Sequence, residues 1–158
     1  MSSMTRITIV LGAVTALVLS PTIAVPKDRK PTITIKARSQ LDRVHVVDNA
    51  PAGDSPGDML VFTERLVDAR GQRIGSDAAS CVRLFDQTSL CTGTYELAGG
   101  RVMVQLLQPG FTGSYDQAIT GGTGRFAGAR GTVRVDQRAD GDRFTFRIRP
   151  VTSRRTPP

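Results

Sequence analysis

The chain has 158 residues, of which 39% are hydrophobic and 22% charged, with a formal net charge of +7. That length supports one domain with its own core. A single histidine excludes a two-histidine zinc site, and no metal or other cofactor is expected. The basic balance would suit an acidic surface or nucleic acid, but it serves equally to keep an exported protein soluble.

In chain order, the first segment carries one charge, Arg6, followed by an apolar run from Ile7 to Leu19. That run is short for a bilayer span. Thr22 and Ala24 supply small residues at the spacing a signal peptidase reads. Residues 1–24 are therefore expected to be a secretory signal, with an uncleaved anchor as the rival reading. Once the signal is removed, no membrane association is expected of the secreted protein. Residues 25–40, including "KDRKP" at 27–31, read as a flexible lead-in, residues 41–150 as the folded domain, and residues 151–158 as a disordered tail.

From Arg43 onward the hydrophobic period is two. "RVHVVD" (43–48) is the first expected strand and "GDMLVFTERLVDA" (57–69) the second, ended by the turn "ARGQ". "SCVRLF" (80–85) and "LCTGTYEL" (90–97) form a hairpin about a polar turn near Asp86–Ser89. This hairpin sets Cys81 opposite Cys91. Export permits a disulfide between them, with two free buried thiols as the alternative. "GRVMVQLLQ" (100–108) opens at a Gly99–Gly100 turn, and the short "DQAI" (116–119) precedes a glycine cluster. "GTVRV" (131–135) turns Val133 and Val135 inward. "DRFTFRIRP" (142–150) turns Phe144, Phe146 and Ile148 to one face and its arginines to the other. Asp140–Gly141 between these last two strands is a tight-turn signal. About eight short strands with no sustained helical period predict an all-β sandwich or barrel. An eight-stranded antiparallel barrel would leave no open edge.

The cluster "AITGGTGRFAGARGTVRV" (118–135) invites a phosphate-loop reading, which its spacing rejects. After Gly122 and Gly124 the next glycine is Gly128, one position late for a dinucleotide fingerprint, and strand-like alternation follows instead of a helix. No lysine occurs beyond Lys36, so a P-loop is excluded as well. Glycines here suit a sharp corner, with Arg125 and Phe126 projecting from it and Arg130 starting the next strand.

Candidate chemistry reduces to a cavity. Leu60, Phe62, Glu64 and Leu66 share one face, which sets Glu64 among apolar neighbours and makes it the first candidate for acid–base work. The alternative is a rim glutamate paired with an arginine. His45 is the second catalytic candidate if it faces inward with Glu64, and a solvated or structural histidine otherwise. The cavity wall is expected from Leu60, Phe62, Val102, Val104, Phe144 and Phe146. "DQRADGD" lacks calcium-loop spacing and reads as a hairpin turn. The stripe of Arg134, Arg143, Arg147 and Arg149 lacks interleaved outward aromatics, so it reads as a solvated exterior with no nucleic-acid partner. Met103 and Leu107 lie opposite Val102, Val104 and Leu106, which raises the possibility of a covered outer face, as in a homo-oligomer.

The glycine cluster resembles the signature of the allene oxide cyclase family and of the related dirigent proteins, whose version reads much like "VVGGTGRFRMARG". "GDMLVFTERL", "RIGSDAASCVRL" and "GTYELAGGRVMVQ" resemble the cyclases in the same order, so the likeness covers about Arg43 to Arg149. It implies an eight-stranded antiparallel barrel, in agreement with the strand count. It also implies that Phe62 and Cys81 match a cavity phenylalanine and cysteine, and that Glu64 stands where plant cyclases hold a water-binding asparagine. The cyclases' cavity glutamate falls at His45, its neighbouring asparagine at Val47, and a cavity aromatic at Cys91. With that polar apparatus absent, allene oxide cyclisation itself is not expected.

The function expected from these features is a secreted barrel that binds a small apolar molecule and directs its cyclisation or coupling by holding one conformer. A non-catalytic carrier with the same cavity is the alternative. A filled barrel that binds nothing is a third reading. An open cavity with converging polar groups would favour the enzyme.

Overall fold

The computed structural model describes residues 31–85, 88–108 and 113–150. The expected signal, the first part of the lead-in, the centre of the cysteine hairpin's turn and the C-terminal tail lie outside these residues.

Eight strands close into one antiparallel barrel in sequence order. They are β1 (Ile33–Val47), β2 (Met59–Val67), β3 (Arg73–Arg83), β4 (Ser89–Leu97), β5 (Gly100–Gln108), β6 (Ser114–Gly122), β7 (Arg130–Asp136) and β8 (Arg143–Arg149). Closure comes from β1, which pairs with β8 through Ile33–Arg38 and with β2 through Arg38–Val47. The flexible lead-in expected at 25–40 is thus corrected: from Ile33 onward it is strand. "ITIKA" carries a two-residue alternation, and the backbone groups of this stretch find partners on two neighbouring strands. β3 likewise starts at Arg73, earlier than expected.

Alternation fills the interior. Val133, Val135, Phe144, Phe146 and Ile148 are all buried, as their spacing predicts. Tyr95 packs edge-on against Phe146 and Phe144, with ring centroids 4.9 and 5.7 Å away. Aromatic pairs of this geometry add about 0.5–1.5 kcal/mol beyond area burial. Val102, Val104 and Phe146, expected on a cavity wall, belong instead to the packed core. Only a short stretch of an eight-stranded barrel can stay open, and these residues lie in its filled part.

The glycine cluster forms the corner between β6 and β7 at the closed end. A single turn of tight helix, Gly124–Phe126, bends the chain. Thr123 N–H donates to the Arg101 carbonyl at 2.9 Å, and Arg125 N–H to the Gly99 carbonyl at 2.8 Å. Gly124 has φ +58°, and a Cβ there would strike the Gly99 carbonyl. The corner is therefore laid tightly on the β4–β5 turn. Arg125 projects from it, as expected. Phe126 does not, because its ring is fully buried and plugs the base of the barrel. Burial of a ring of this size is worth about 1.5–3 kcal/mol, which outweighs the local preference of a turn residue for solvent.

Cys81 and Cys91 are direct partners in the β3–β4 ladder and form a disulfide. Arg147 and Arg149 are exposed on the exterior. Arg134 reaches Asp116 and Asp136, and Arg143 reaches Asp140.

Candidate functional site

The end opposite the glycine corner holds a cavity of about 220 Å3. One side is apolar, with Leu41, Val44, Leu60 and Phe62 from β1 and β2. The floor is Tyr95 and Phe144. The other side is polar, with Gln108, Tyr115, Gln117, Gln137 and Asp142. Beyond Ser39, whose N–H still donates to the Asp142 carbonyl at 2.9 Å, β1 has left β8 and keeps β2 as its ladder neighbour. This opening exposes Leu41 and Val44 at the mouth, at 61% and 54%.

Glu64 faces into this cavity, as its alternation with Phe62 and Leu66 requires. Directly opposite it in the β2–β3 ladder is Asp77, which lines the same cavity. Asp77 is in turn the ladder partner of Tyr95. Three polar side chains on adjacent strands thus form a row across the cavity wall. Burial pushes the Glu64 carboxyl up to about 7, aided by Asp142 and opposed by a hydrogen bond from Ser39. Burial also pushes Asp77 up to about 8, with the Glu64 charge as the second cause. Removal of water disfavours each carboxylate, and the neighbouring like charge disfavours both together. At neutral pH the pair therefore retains a proton, so one member is a competent acid while the other can serve as base.

Burial raises the Tyr95 and Tyr115 hydroxyls as well, so both remain protonated. Tyr95 Oη donates to Gln117 Oε1 at 2.7 Å. Among the described residues three buried side-chain polar atoms find no protein partner: Asp77 Oδ1, Gln108 Nε2 and Gln137 Oε1. All three residues line this one cavity. Buried polar atoms are normally satisfied, and the three that lack a protein partner are brought together at this cavity.

His45 is not part of this site. It is exposed and is the ladder partner of Val61 on the outer face. The cause is a bulge. Leu41 pairs with Glu64 and Arg43 with Thr63, which leaves Asp42 as an extra residue in β1. Before the bulge the inward positions are Ala37, Ser39 and Leu41; after it they are Val44 and Val46. One inserted residue reverses the facing of everything beyond it. Without it His45 would point inward. Asp42 itself pairs outside with Arg65 at 3.1 Å.

Among the six cavity residues expected from sequence, Leu60, Phe62 and Phe144 line the cavity, while Val102, Val104 and Phe146 do not. Asp77 was missed. Its signal was present in "RIGSDAASC": counting back in twos from the inward Cys81 gives Ala79 and then Asp77. Among the described residues no group of three or more His, Cys, Asp or Glu is placed to hold a metal ion.

The chain is thus an eight-stranded antiparallel barrel with a buried aromatic at one end and a carboxyl-lined cavity at the other. The chain belongs to the allene oxide cyclase barrel-like family, whose profile matches residues 39–149. Among solved structures it is similar to a pyocyanin demethylase, with 26% identity and TM-score 0.67, covering 73% of this chain and 99% of that one. It is also similar to a Diels–Alderase from Streptomyces koyangensis, with 15% identity and TM-score 0.63, covering 75% of this chain and 64% of that one. A pterocarpan synthase dirigent protein has 14% identity and TM-score 0.60, covering 86% of this chain and all of that one. No curated protein sequence matches the chain.

Proposed function

We propose that this protein binds a small, largely apolar molecule at the open end of its barrel and directs its cyclisation or coupling. The observation that carries the reading is the inward pair Glu64–Asp77, opposite each other in one ladder and lining one cavity. The apolar wall of Leu41, Val44, Leu60 and Phe62 would hold one substrate conformer, so that reacting atoms start near each other. The carboxylate of the pair would accept a proton from the substrate as the carboxylic acid donates one. The proton count of substrate and product is then equal, as an isomerising ring closure requires. A carrier would need only the apolar wall; two carboxyls disfavoured by burial are a cost that proton transfer explains. The Diels–Alderase and dirigent likenesses concern the fold and are compatible with this chemistry.

The Cys81–Cys91 disulfide supports an oxidising compartment. Together with the N-terminal segment it leads us to propose a secreted protein.

The test is native mass spectrometry of the protein after incubation with a lipophilic metabolite extract, followed by product analysis. A retained small molecule that is converted by the wild type and not by Glu64→Gln supports the proposal. The absence of any bound species across conditions, or undiminished conversion by both Glu64→Gln and Asp77→Asn, would overturn it.

A further inference from the structure

The cavity has a marked electrostatic bias. Glu64, Asp77 and Asp142 are its ionisable acids besides the two tyrosines, and no lysine, arginine or histidine is among the described residues that line it. An anionic ligand would meet carboxyls with no compensating cation, at a cost that grows as water is excluded.

The lining is also rich in aromatic rings. The chain contains 6 phenylalanines and 2 tyrosines. Phe62, Phe144, Tyr95 and Tyr115, half of these, surround this one cavity. Aromatic faces attract cations through the ring quadrupole, most strongly when the cation is desolvated. Two of the unpartnered buried atoms, Asp77 Oδ1 and Gln137 Oε1, are oxygens. They complement a positively charged or hydrogen-donating group. Gln108 Nε2 is the one unpartnered buried side-chain donor among the described residues, and it remains free for an acceptor atom elsewhere on the same ligand.

From the carboxyl pair, the four rings and the missing cation, we infer that the cavity takes a small cation on an apolar frame, such as an N-alkylated heteroaromatic ring. This inference rests on the reading of the cavity as a ligand site and specifies the ligand's charge. The volume of about 220 Å3 is below the roughly 300–1,000 Å3 of drug-sized pockets, so the frame is limited to a few rings. Cation binding lowers the cost of ionising Glu64 and Asp77, so affinity increases with pH as these carboxyls lose their protons. Tyr95 and Tyr115 stay neutral over that range, and Asp142 adds to the negative field.

The test uses three two-ring probes of similar size: N-methylquinolinium, quinoline and 1-naphthoate. Their binding to the intact protein is followed by isothermal titration calorimetry at pH 6 and pH 8.5. The expected result is that N-methylquinolinium binds at least about tenfold more tightly than 1-naphthoate at pH 8.5, a margin equivalent to one pKa unit of interaction. The margin shrinks at pH 6. In Glu64→Gln/Asp77→Asn it shrinks at pH 8.5 as well, to what Asp142 and the rings supply, while quinoline still binds, which shows that the variant retains its cavity. Naphthoate binding as tightly as the cation at pH 8.5, or an unchanged preference in a quinoline-binding double variant, would overturn the inference. If the double variant fails to fold, the charge order in the wild type decides alone. If no probe binds, both this inference and the cavity reading fall; if quinoline and naphthoate bind and the cation does not, only this inference falls.

Discussion

Glu64 on β2 and Asp77 on β3 are ladder partners inside the barrel, and burial drives both carboxyls toward the neutral form. A folded-state pKa above the unfolded value means that the folded protein binds more protons between the two. Stability then falls as pH rises. The contribution is fully present below about pH 4, near the ordinary values of 3.8 and 4.5, and is lost as pH passes through about 7 and 8. Thermal melts should give a lower Tm at pH 8.5 than at pH 5.5. Asp77→Asn should raise the Tm most at pH 8.5 and less at pH 5.5, because it removes the group that must ionise in an apolar site. A Tm of Asp77→Asn equal to that of wild type at pH 8.5 would show that Asp77 bears no such burden.

Turnover of the bound substrate should fall about 100- to 10,000-fold in Glu64→Gln and in Asp77→Asn, the usual range for a lost general acid or base. His45→Ala should leave it unchanged, since the bulge at Asp42 places that side chain outside. Steady-state rates of the three variants, side by side, separate the structural assignment from the one that alternation alone would make.

The disulfide ties β3 to β4 across a sequence separation of 10. In the chain-entropy account, closing so short a loop stabilises the fold by about 3 kcal/mol. Urea unfolding of Cys81→Ala/Cys91→Ala should show a loss near that size. A loss below about 1 kcal/mol would mean that the hairpin is already ordered in the unfolded chain.

Gly124→Ala should destabilise the barrel by about 1–3 kcal/mol, the cost of a strained backbone position. The residue has φ +58°, and its added Cβ meets the Gly99 carbonyl. The effect should appear in the denaturation midpoint with probe binding at the far end retained, because the corner and the cavity occupy opposite ends of the barrel.

Tyr95→Phe removes the hydroxyl that donates to Gln117 Oε1 at 2.7 Å. It leaves a buried acceptor unsatisfied, a loss of about 1–3 kcal/mol. Because the ring contacts with Phe144 and Phe146 persist, the variant should still unfold cooperatively, which calorimetry would show directly.

Much of the architecture was legible in the residues. Alternation in "DRFTFRIRP" and "GTVRV" assigned inward faces that the structure reproduces, and the Cys81–Cys91 pairing followed from a hairpin. The first strand begins at Ile33, ten residues before the Arg43 that alternation predicts, because "KDRKPTITIK" mixes charges with β-branched residues, and a charged outer face looks like a charged lead-in until a neighbouring strand is known. For Val102, Val104 and Phe146 the sequence predicts the inward facing but not the depth along the barrel, which puts them in the core and not on the cavity wall.

By itself, then, the sequence determined which faces of its strands are apolar, where the chain turns and that the strands could close upon themselves. These are local consequences of side-chain period and glycine conformational freedom. Only the tertiary structure decided which residues share the cavity. The extra residue at Asp42 reverses the facing of β1 and removes His45, while ladder register brings Asp77 opposite Glu64. Register and bulges are set by long-range pairing between strands, and the energetic character of the two carboxyls arises only once that pairing has excluded water around them.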